Sequence, residues 1–332
     1  MSDRDQTSGP LSLGDLPEEF AGFDRIYEQE IRPNLIARED ERIAAAKKAI
    51  QTRWIGGAII VVGVALGLAV FKLPVVAILA SIAGFGVVGW GNMAIMRLAG
   101  EAKSLIVEPI ARQLDLGFVP APGTCESIYR HKDVGVVPGW DRSKFEDLLT
   151  GRRGSVDFEL FEAHLEERRT TTDSKGRTQT TWVTVFRGQC LRFDFHKTFY
   201  GRTLVTRDAG LFNRFGGGKG MQRASLEDPR FEKIFEVYTT DQVESRYLLT
   251  PDLMQKLVDL EDTFKGGKLK TAFDGGEMLI TVQGGNLFEP GSMFKPLDSA
   301  DRVKELLNDF AAVFRLIDAV TAGRSRMPPP AL

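Results

Sequence analysis

The sequence has 332 residues, 43% of them apolar, with 43 Lys and Arg against 45 Asp and Glu, so length allows one to three domains and the formal net charge is −2. Near-neutral charge lacks the bulk electrostatic signature of polyanion binding and argues against nucleic acid as a partner. Two cysteines, Cys125 and Cys190, and three histidines are too few for a disulfide framework or a four-cysteine zinc site, leaving at most a single bridge.

Residues 1–17 are polar, contain Gly and Pro and show no periodicity, which predicts a disordered tail. Over residues 18–53, Phe20, Phe23, Tyr27, Ile31 and Leu35 recur at three- and four-residue steps. That spacing predicts an amphipathic juxtamembrane helix, interrupted near Pro33 and continuing from Arg38 through Arg53 into the next segment.

Every residue from Trp54 to Met96 is uncharged except Lys72. One helix of roughly 43 residues would reach about 65 Å, twice the hydrocarbon thickness of about 30 Å, whereas two spans at 54–71 and 73–96 fit. Pro74 supports a break at Lys72, because proline disfavours helix at the residue before it and is tolerated early in a helix. The expected partner of this hairpin is the lipid bilayer, with Lys72 snorkelling at the tip and Trp54 and Trp90 near the interface. Gly63 with Gly67, and Ala80 with Gly84, form small-xxx-small steps that either let the spans pack closely or reflect ordinary membrane composition. The competing reading is a buried helical hairpin in a soluble protein, which so long a charge-poor run disfavours. Lys47, Lys48 and Arg53 before the first span, with Arg97 and Lys103 after the second, predict cytoplasmic termini by the positive-inside rule. Reducing surroundings would then keep Cys125 and Cys190 as free thiols.

Residues 97–116 predict a second juxtamembrane helix with Leu105, Ile106, Ile110 and Leu114 on one stripe and a kink at Pro109. The two juxtamembrane helices either form a short antiparallel stalk or each cover the globular domain. Residues 117–322 read as an α+β domain with a mostly antiparallel sheet. Ser155 to Arg169 and Thr178 to Phe195 are strand-like runs separated by the turn-like Thr171 to Arg177, a long hairpin. Further strands are expected at Gly201 to Arg207, Phe231 to Thr239, Lys268 to Phe273 and Met278 to Val282, the last two joined through Asp274-Gly275-Gly276. Asp241-x-x-Glu244 matches a capping box, and Thr250-Pro251 opens a helix running to about Phe264. A terminal helix from Asp298 to Thr321 carries Val303, Leu306, Leu307, Phe310, Val313, Phe314, Ile317 and Val320 at helical spacing. Residues 323–332 read as a second disordered tail.

No catalytic, cofactor-binding or metal residue is assigned from these patterns. The run Phe215 to Gly220 lacks the hydroxyl residue and flanking strand of a nucleotide-binding loop, and Gly266-Gly267 reads as a helix stop. His131, His164 and His196 are widely separated and accompany no metal motif. Cys190 reads as a buried strand thiol and Cys125 as a loop residue. Arg152, Arg153, Arg168 and Arg169 form either a solvated hairpin surface or a contact for anionic headgroups. Asp241, Glu244 and Arg246 are the least implausible functional cluster, with a structural role in local capping and pairing the favoured reading.

The stretches Asp228 to Tyr238 (DPRFEKIFEVY) and Asp241 to Pro251 (DQVESRYLLTP), with the opener from Phe20 and the hairpin at Trp54 to Met96, resemble a bacterial family catalogued as domain of unknown function 3137. The resemblance implies a bacterial inner-membrane protein without assigned activity and association with LemA-type membrane proteins; it transfers no catalytic residue. The leading expectation is a membrane-anchored scaffold or adaptor whose cytoplasmic domain binds a protein. Two alternatives stay open: an enzyme whose site is assembled from distant residues, and a ligand- or lipid-sensing domain built on a curved sheet, like a pleckstrin-homology barrel closed by the terminal helix. Two spans with no intramembrane ionisable group apart from Lys72 argue against a transporter.

Overall fold

The computed structural model describes residues 20–70, 72–195, 199–207, 220–263 and 268–321. The two expected tails, His196, Gly266, Gly267 and all of the glycine run except Gly220 lie outside the described residues. Two compact units emerge: Met1–Ile110 with Phe288–Asn308, and Ala111–Leu287 with Asp309–Leu332.

In the first unit, α1 (Phe23–Ile26), a π-helical turn (Tyr27–Ile31) and α2 (Arg32–Ala37) run together. The wide turn falls just before Pro33, which has no N–H to donate to the preceding turn. Phe20, Phe23, Tyr27, Ile31 and Leu35 are all buried, as their spacing predicts, and the Tyr27 hydroxyl donates to the Asp298 carbonyl at 2.8 Å. After a bend at Arg38, α3 (Glu39–Ala65) extends through a second π turn to Val70. Lys72 turns the chain in the left-handed region at φ 51, and α4 (Pro74–Gln113) starts on its proline. The expected kink at Pro109 does not end this helix, which runs on to Gln113 as one element with the second apolar span.

Helices α3 and α4 pack antiparallel along a seam of small residues. A side chain at Gly63 would meet Ala80, one at Gly67 would meet the Ala77 backbone at 2.7 Å, and one at Gly56 would meet the Gly84 carbonyl at 2.6 Å. The glycines are therefore needed for close approach. Lys48 lies over the Trp90 ring at 3.7 Å, Arg53 donates to Asn92 at 3.2 Å, and Arg38 pairs with Glu101. The charged ends of α3 and α4 thus continue the hairpin as an antiparallel pair. Both helices are long and apolar enough to cross a membrane, and just 11% of the most apolar stretch of each is buried. Trp54 (78%), Val61 (68%), Phe85 (69%) and Met96 (71%) stand exposed, which is the reverse of a soluble core hairpin. Nearby, buried Arg42 donates to Glu39 and to the Met293 carbonyl at 3.0 Å, while Glu39 accepts from the Leu297 amide at 3.1 Å.

The second unit is a nine-stranded antiparallel sheet in the order β1-β2-β3-β4-β9-β8-β5-β7-β6. The strands are β1 (Gly117–Val119), β2 (Arg142–Arg153), β3 (Val156–Thr172), β4 (Thr178–Asp194), β5 (Thr203–Arg207), β6 (Gln222–Ala224), β7 (Phe235–Thr239), β8 (Lys268–Asp274) and β9 (Glu277–Gln283). Its helices are α5 (Ser127–Asp133), α6 (Pro229–Ile234), α7 (Gln242–Leu248) and α8 (Pro251–Thr263), with the part of the terminal α9 (Ala300–Thr321) from Asp309 onward. Among the described residues β1 and β6 do not pair, so the sheet is open and is not the closed barrel considered above. One face, with Leu160, Leu191, Ile280 and Val282, meets Val313 and Leu316 of α9. On the other face, Cys125, Ile128 and Val137 pack on Phe161, Ala163, Phe186 and Cys190, and Val134 and Val136 pack on Leu204, Ala272 and Leu279.

Two local expectations need correction. Phe231–Thr239 is not one strand: Asp228 accepts hydrogen bonds from the Arg230 and Phe231 amides at 2.8 and 3.1 Å and Pro229 occupies the first helical position, so α6 forms before β7. At Asp241 the side chain caps α7 through the Val243 and Glu244 amides, but the capping box is not reciprocal. The Asp241 amide donates to the Thr239 hydroxyl, and Glu244 instead accepts from the Tyr200 and Gly201 amides at 2.8 and 2.6 Å.

Candidate functional site

The sheet face under α5 carries a cleft of about 250 Å³ lined by Val136, Pro138, Val185, Phe186, Lys268, Lys270, Thr281 and Gln283. Its floor follows from strand register. Lys270 lies opposite Thr281 and Lys268 opposite Gln283, and Thr281 in turn lies opposite Cys190, so alternation puts both lysines on the face that α5 covers. Val185 is the extra residue of a β-bulge, because Leu165 pairs with Phe186 while Glu166 pairs with Thr184. The bulge lets Val185 and Phe186 both border the cleft.

The remaining wall is the turn after α5, held in place by a charged network. Arg130 bonds Asp274 and Glu277, each at 3.0 Å; Arg202 bonds Asp274 at 3.0 Å; Arg192 pairs with Glu277 at 2.6 Å. Burial alone would raise the Asp274 carboxyl, but hydrogen bonds from Arg202 and Arg130 outweigh it and hold the group below the usual carboxylate range. His131 is wholly buried beneath, with Nδ1 2.8 Å from the Ser127 carbonyl, Nε2 3.3 Å from the Leu191 carbonyl and its ring edge-on to Phe161. Burial pushes its pKa down to about 4 against the pull of those two carbonyls, so the imidazole is neutral at physiological pH. Gly135, at φ 85, ends the helix, and Thr281 donates to the Val136 carbonyl at 3.3 Å, fixing the turn over the strands.

Neither Lys268 nor Lys270 has a carboxylate partner among the described residues, and Lys270 is half-buried. Burial, then the charge of Lys268, lowers the Lys270 pKa. The lining offers two ammonium groups, a hydroxyl, an amide and an apolar wall, with no carboxylate, histidine or cysteine. This lining pairs cationic groups with an apolar wall.

The other residues singled out from the sequence sit elsewhere. His164 is half-buried on β3, 2.9 Å from the Thr184 hydroxyl, and no cluster of three metal-ligating side chains occurs among the described residues. Cys125 and Cys190 are both buried free thiols; burial, with Glu159 adding, pushes Cys125 up to about 12 and Cys190 well above its ordinary value. Arg152 pairs with Asp157, Arg153 with Asp318, and Arg169 with Glu167, while the Arg168 amide donates to Asp141. These arginines therefore do not gather into one basic patch. Asp241 and Glu244 serve the local backbone as described above. The cleft was missed, although Lys268 and Lys270 at alternate positions around buried Leu269 were a signal for a basic strand face.

The described residues define an apolar two-helix hairpin and an antiparallel α+β domain with a lysine-lined cleft on one sheet face. Residues 184–321 match the family described as Protein of unknown function (DUF3137), which includes both stretches that carry the sequence resemblance and the strands of the cleft. No curated protein matches the sequence. The crystal structure of the mycobacterial trehalose monomycolate transport factor A, TtfA, is similar at 9% identity and a TM-score of 0.33, covering 66% of this chain and 95% of that one, a likeness too weak to define a shared fold.

Proposed function

We propose that this protein is an adaptor of the bacterial inner membrane, anchored by the α3–α4 hairpin with both termini cytoplasmic, whose α+β domain binds a protein partner through the β3–β4 ribbon. The carrying observation is how far that ribbon outruns the sheet. Pairing of β2 with β3 ends at Arg142 and Glu166, and pairing of β9 with β4 starts at Gln283 and Gly188, yet β3 and β4 stay paired out to Thr172 and Thr178. An isolated two-stranded ribbon is marginal in water, and its two free backbone edges are templates for strand addition. Its Thr170, Thr171, Thr172, Thr178, Thr180 and Thr181 favour extended backbone without forming an apolar patch. The family resemblance makes LemA-type membrane proteins one class of partner to examine. Anchoring is supported by the outward apolar side chains of the hairpin, which in water would leave a large unpartnered surface.

The test is site-specific photocrosslinking in intact cells from Thr171 and Thr180, with Lys256 on α8 as a control position. A discrete protein adduct from both ribbon positions, absent from the Lys256 control, is expected. Adducts equal to the control, or none from either ribbon position, would contradict the adaptor reading. A second reading, ligand binding by the domain, is favoured by the lysine cleft alone.

A further inference from the structure

We propose that the cleft bounded by β8, β9, the bulge at Val185 and the turn after α5 binds an organic phosphate, with the phosphate on Lys268 and Lys270 and an apolar body against Phe186, Val185 and Pro138. Charge placement carries the argument. Three partly buried arginines of the same sheet face carboxylates: Arg130 meets Asp274 and Glu277, Arg192 meets Glu277, and Arg202 meets Asp274. Exposed Lys268 and half-buried Lys270 occupy alternate positions of one strand with no acid partner among the described residues, and burial, then the charge of Lys268, disfavours the charged form of Lys270. A bound anion offsets that cost.

Two ammonium groups match a phosphate monoester, which carries about −1.5 to −2 at neutral pH, better than a carboxylate, which would leave one positive charge unmatched. The cavity of about 250 Å³ corresponds to roughly eight water volumes of about 30 Å³ each, room for a phosphate and a ring or short chain. Phe186, Val185, Val136 and Pro138 form the apolar side, and the Gln283 amide adds a polar group that can donate. The Thr281 hydroxyl is already spent on the Val136 carbonyl and keeps the wall in place. The same phosphomonoester chemistry occurs on soluble metabolites and on the headgroup of phosphatidic acid. The inference concerns a small-molecule site and does not depend on the ribbon binding a protein.

The experiment is isothermal titration of the full-length protein in phosphatidylcholine nanodiscs with phenyl phosphate, inorganic phosphate and phenol. Saturable one-to-one binding of phenyl phosphate is expected, weaker binding of inorganic phosphate, and none of phenol. Lys270→Gln should weaken phenyl phosphate binding by about tenfold or more, Lys268→Gln by less, with Lys270→Arg retaining most affinity and Lys256→Gln all of it. An unchanged unfolding midpoint for Lys270→Gln separates this loss from misfolding. Nanodiscs containing phosphatidic acid identify the source: displacement of phenyl phosphate by the lipid assigns the site to a headgroup, and its absence assigns it to a soluble ester. Failure of phenyl phosphate to saturate by about 1 mM, or equal affinity in wild type and Lys270→Gln, would overturn the proposal.

Discussion

Lowering the pH from about 6.5 to about 4 should destabilise the sheet domain through one side chain, His131. In the unfolded chain the imidazole titrates near its ordinary value of 6.5, whereas in the folded domain burial pushes it down to about 4. Above the upper value both states are neutral. Between the two values the unfolded chain takes up a proton that the folded domain refuses, so stability falls as pH falls; below the lower value both states are charged and the loss is complete. A separation of about 2.5 units corresponds to about 3 kcal/mol, and no solvent discount applies to a ring with 0% exposure. The partners explain why the charged form does not win. Two carbonyls would both accept from an imidazolium, yet desolvation under α5 outweighs them. The assay is urea unfolding of full-length protein in detergent, followed by Trp140 and Trp182 fluorescence with Trp54 and Trp90 replaced by Phe. Because carboxylates titrate in the same range, the informative quantity is the difference between wild type and His131→Gln. That difference should shift by about 3 kcal/mol against wild type on acidification. Parallel pH profiles for the two proteins would refute the reasoning.

Gly63→Leu should destabilise the α3–α4 hairpin by about 1 to 3 kcal/mol, because its side chain would meet Ala80, whereas Gly57→Leu, with open space around it, should be near neutral; thermal unfolding in detergent compares them. Asp241→Ala removes the acceptor of two amides of α7 and should cost about 1 kcal/mol, while Glu244→Ala removes the acceptor of the exposed Tyr200 and part-buried Gly201 amides, which water can reach, and should also cost about 1 kcal/mol, both read from urea midpoints. Cys125 and Cys190, buried and held protonated, should resist maleimide at about pH 8 in the folded protein and react promptly once it is denatured.

Elements with uninterrupted periodicity were legible in the sequence. The Phe20 to Leu35 stripe, the charge-free hairpin, the β3–β4 pair and the terminal helix each repeat one spacing over many residues. The β8–β9 turn was legible as well, with Gly275 and Gly276 at φ 60 and 82 supplying the positive angles that a two-residue hairpin needs. Strand β2 escaped notice because a bulge between Glu146 and Leu149, with Asp147 at φ 55, breaks its alternation. Short β1, β6 and α5 are stabilised by tertiary contacts and carry too few residues to show a period. At α6 the apolar run beginning at Phe231 suggested a strand, but the Asp228 cap with Pro229 decided the local backbone. The cleft needed the register of three strands and the packing of α5, none of which a linear pattern contains.

The central claim, that the α3–α4 hairpin lies in a bilayer, is tested most directly by cysteine accessibility in intact membrane vesicles. Single cysteines at Val61, Leu79 and Phe85, which point away from the seam, and at Lys72 on the tip would be treated with a water-soluble maleimide. The account predicts labelling at Lys72 from one side of the membrane and none at the three apolar positions until denaturing detergent is added. Ready labelling of Val61, Leu79 and Phe85 in intact vesicles would contradict it.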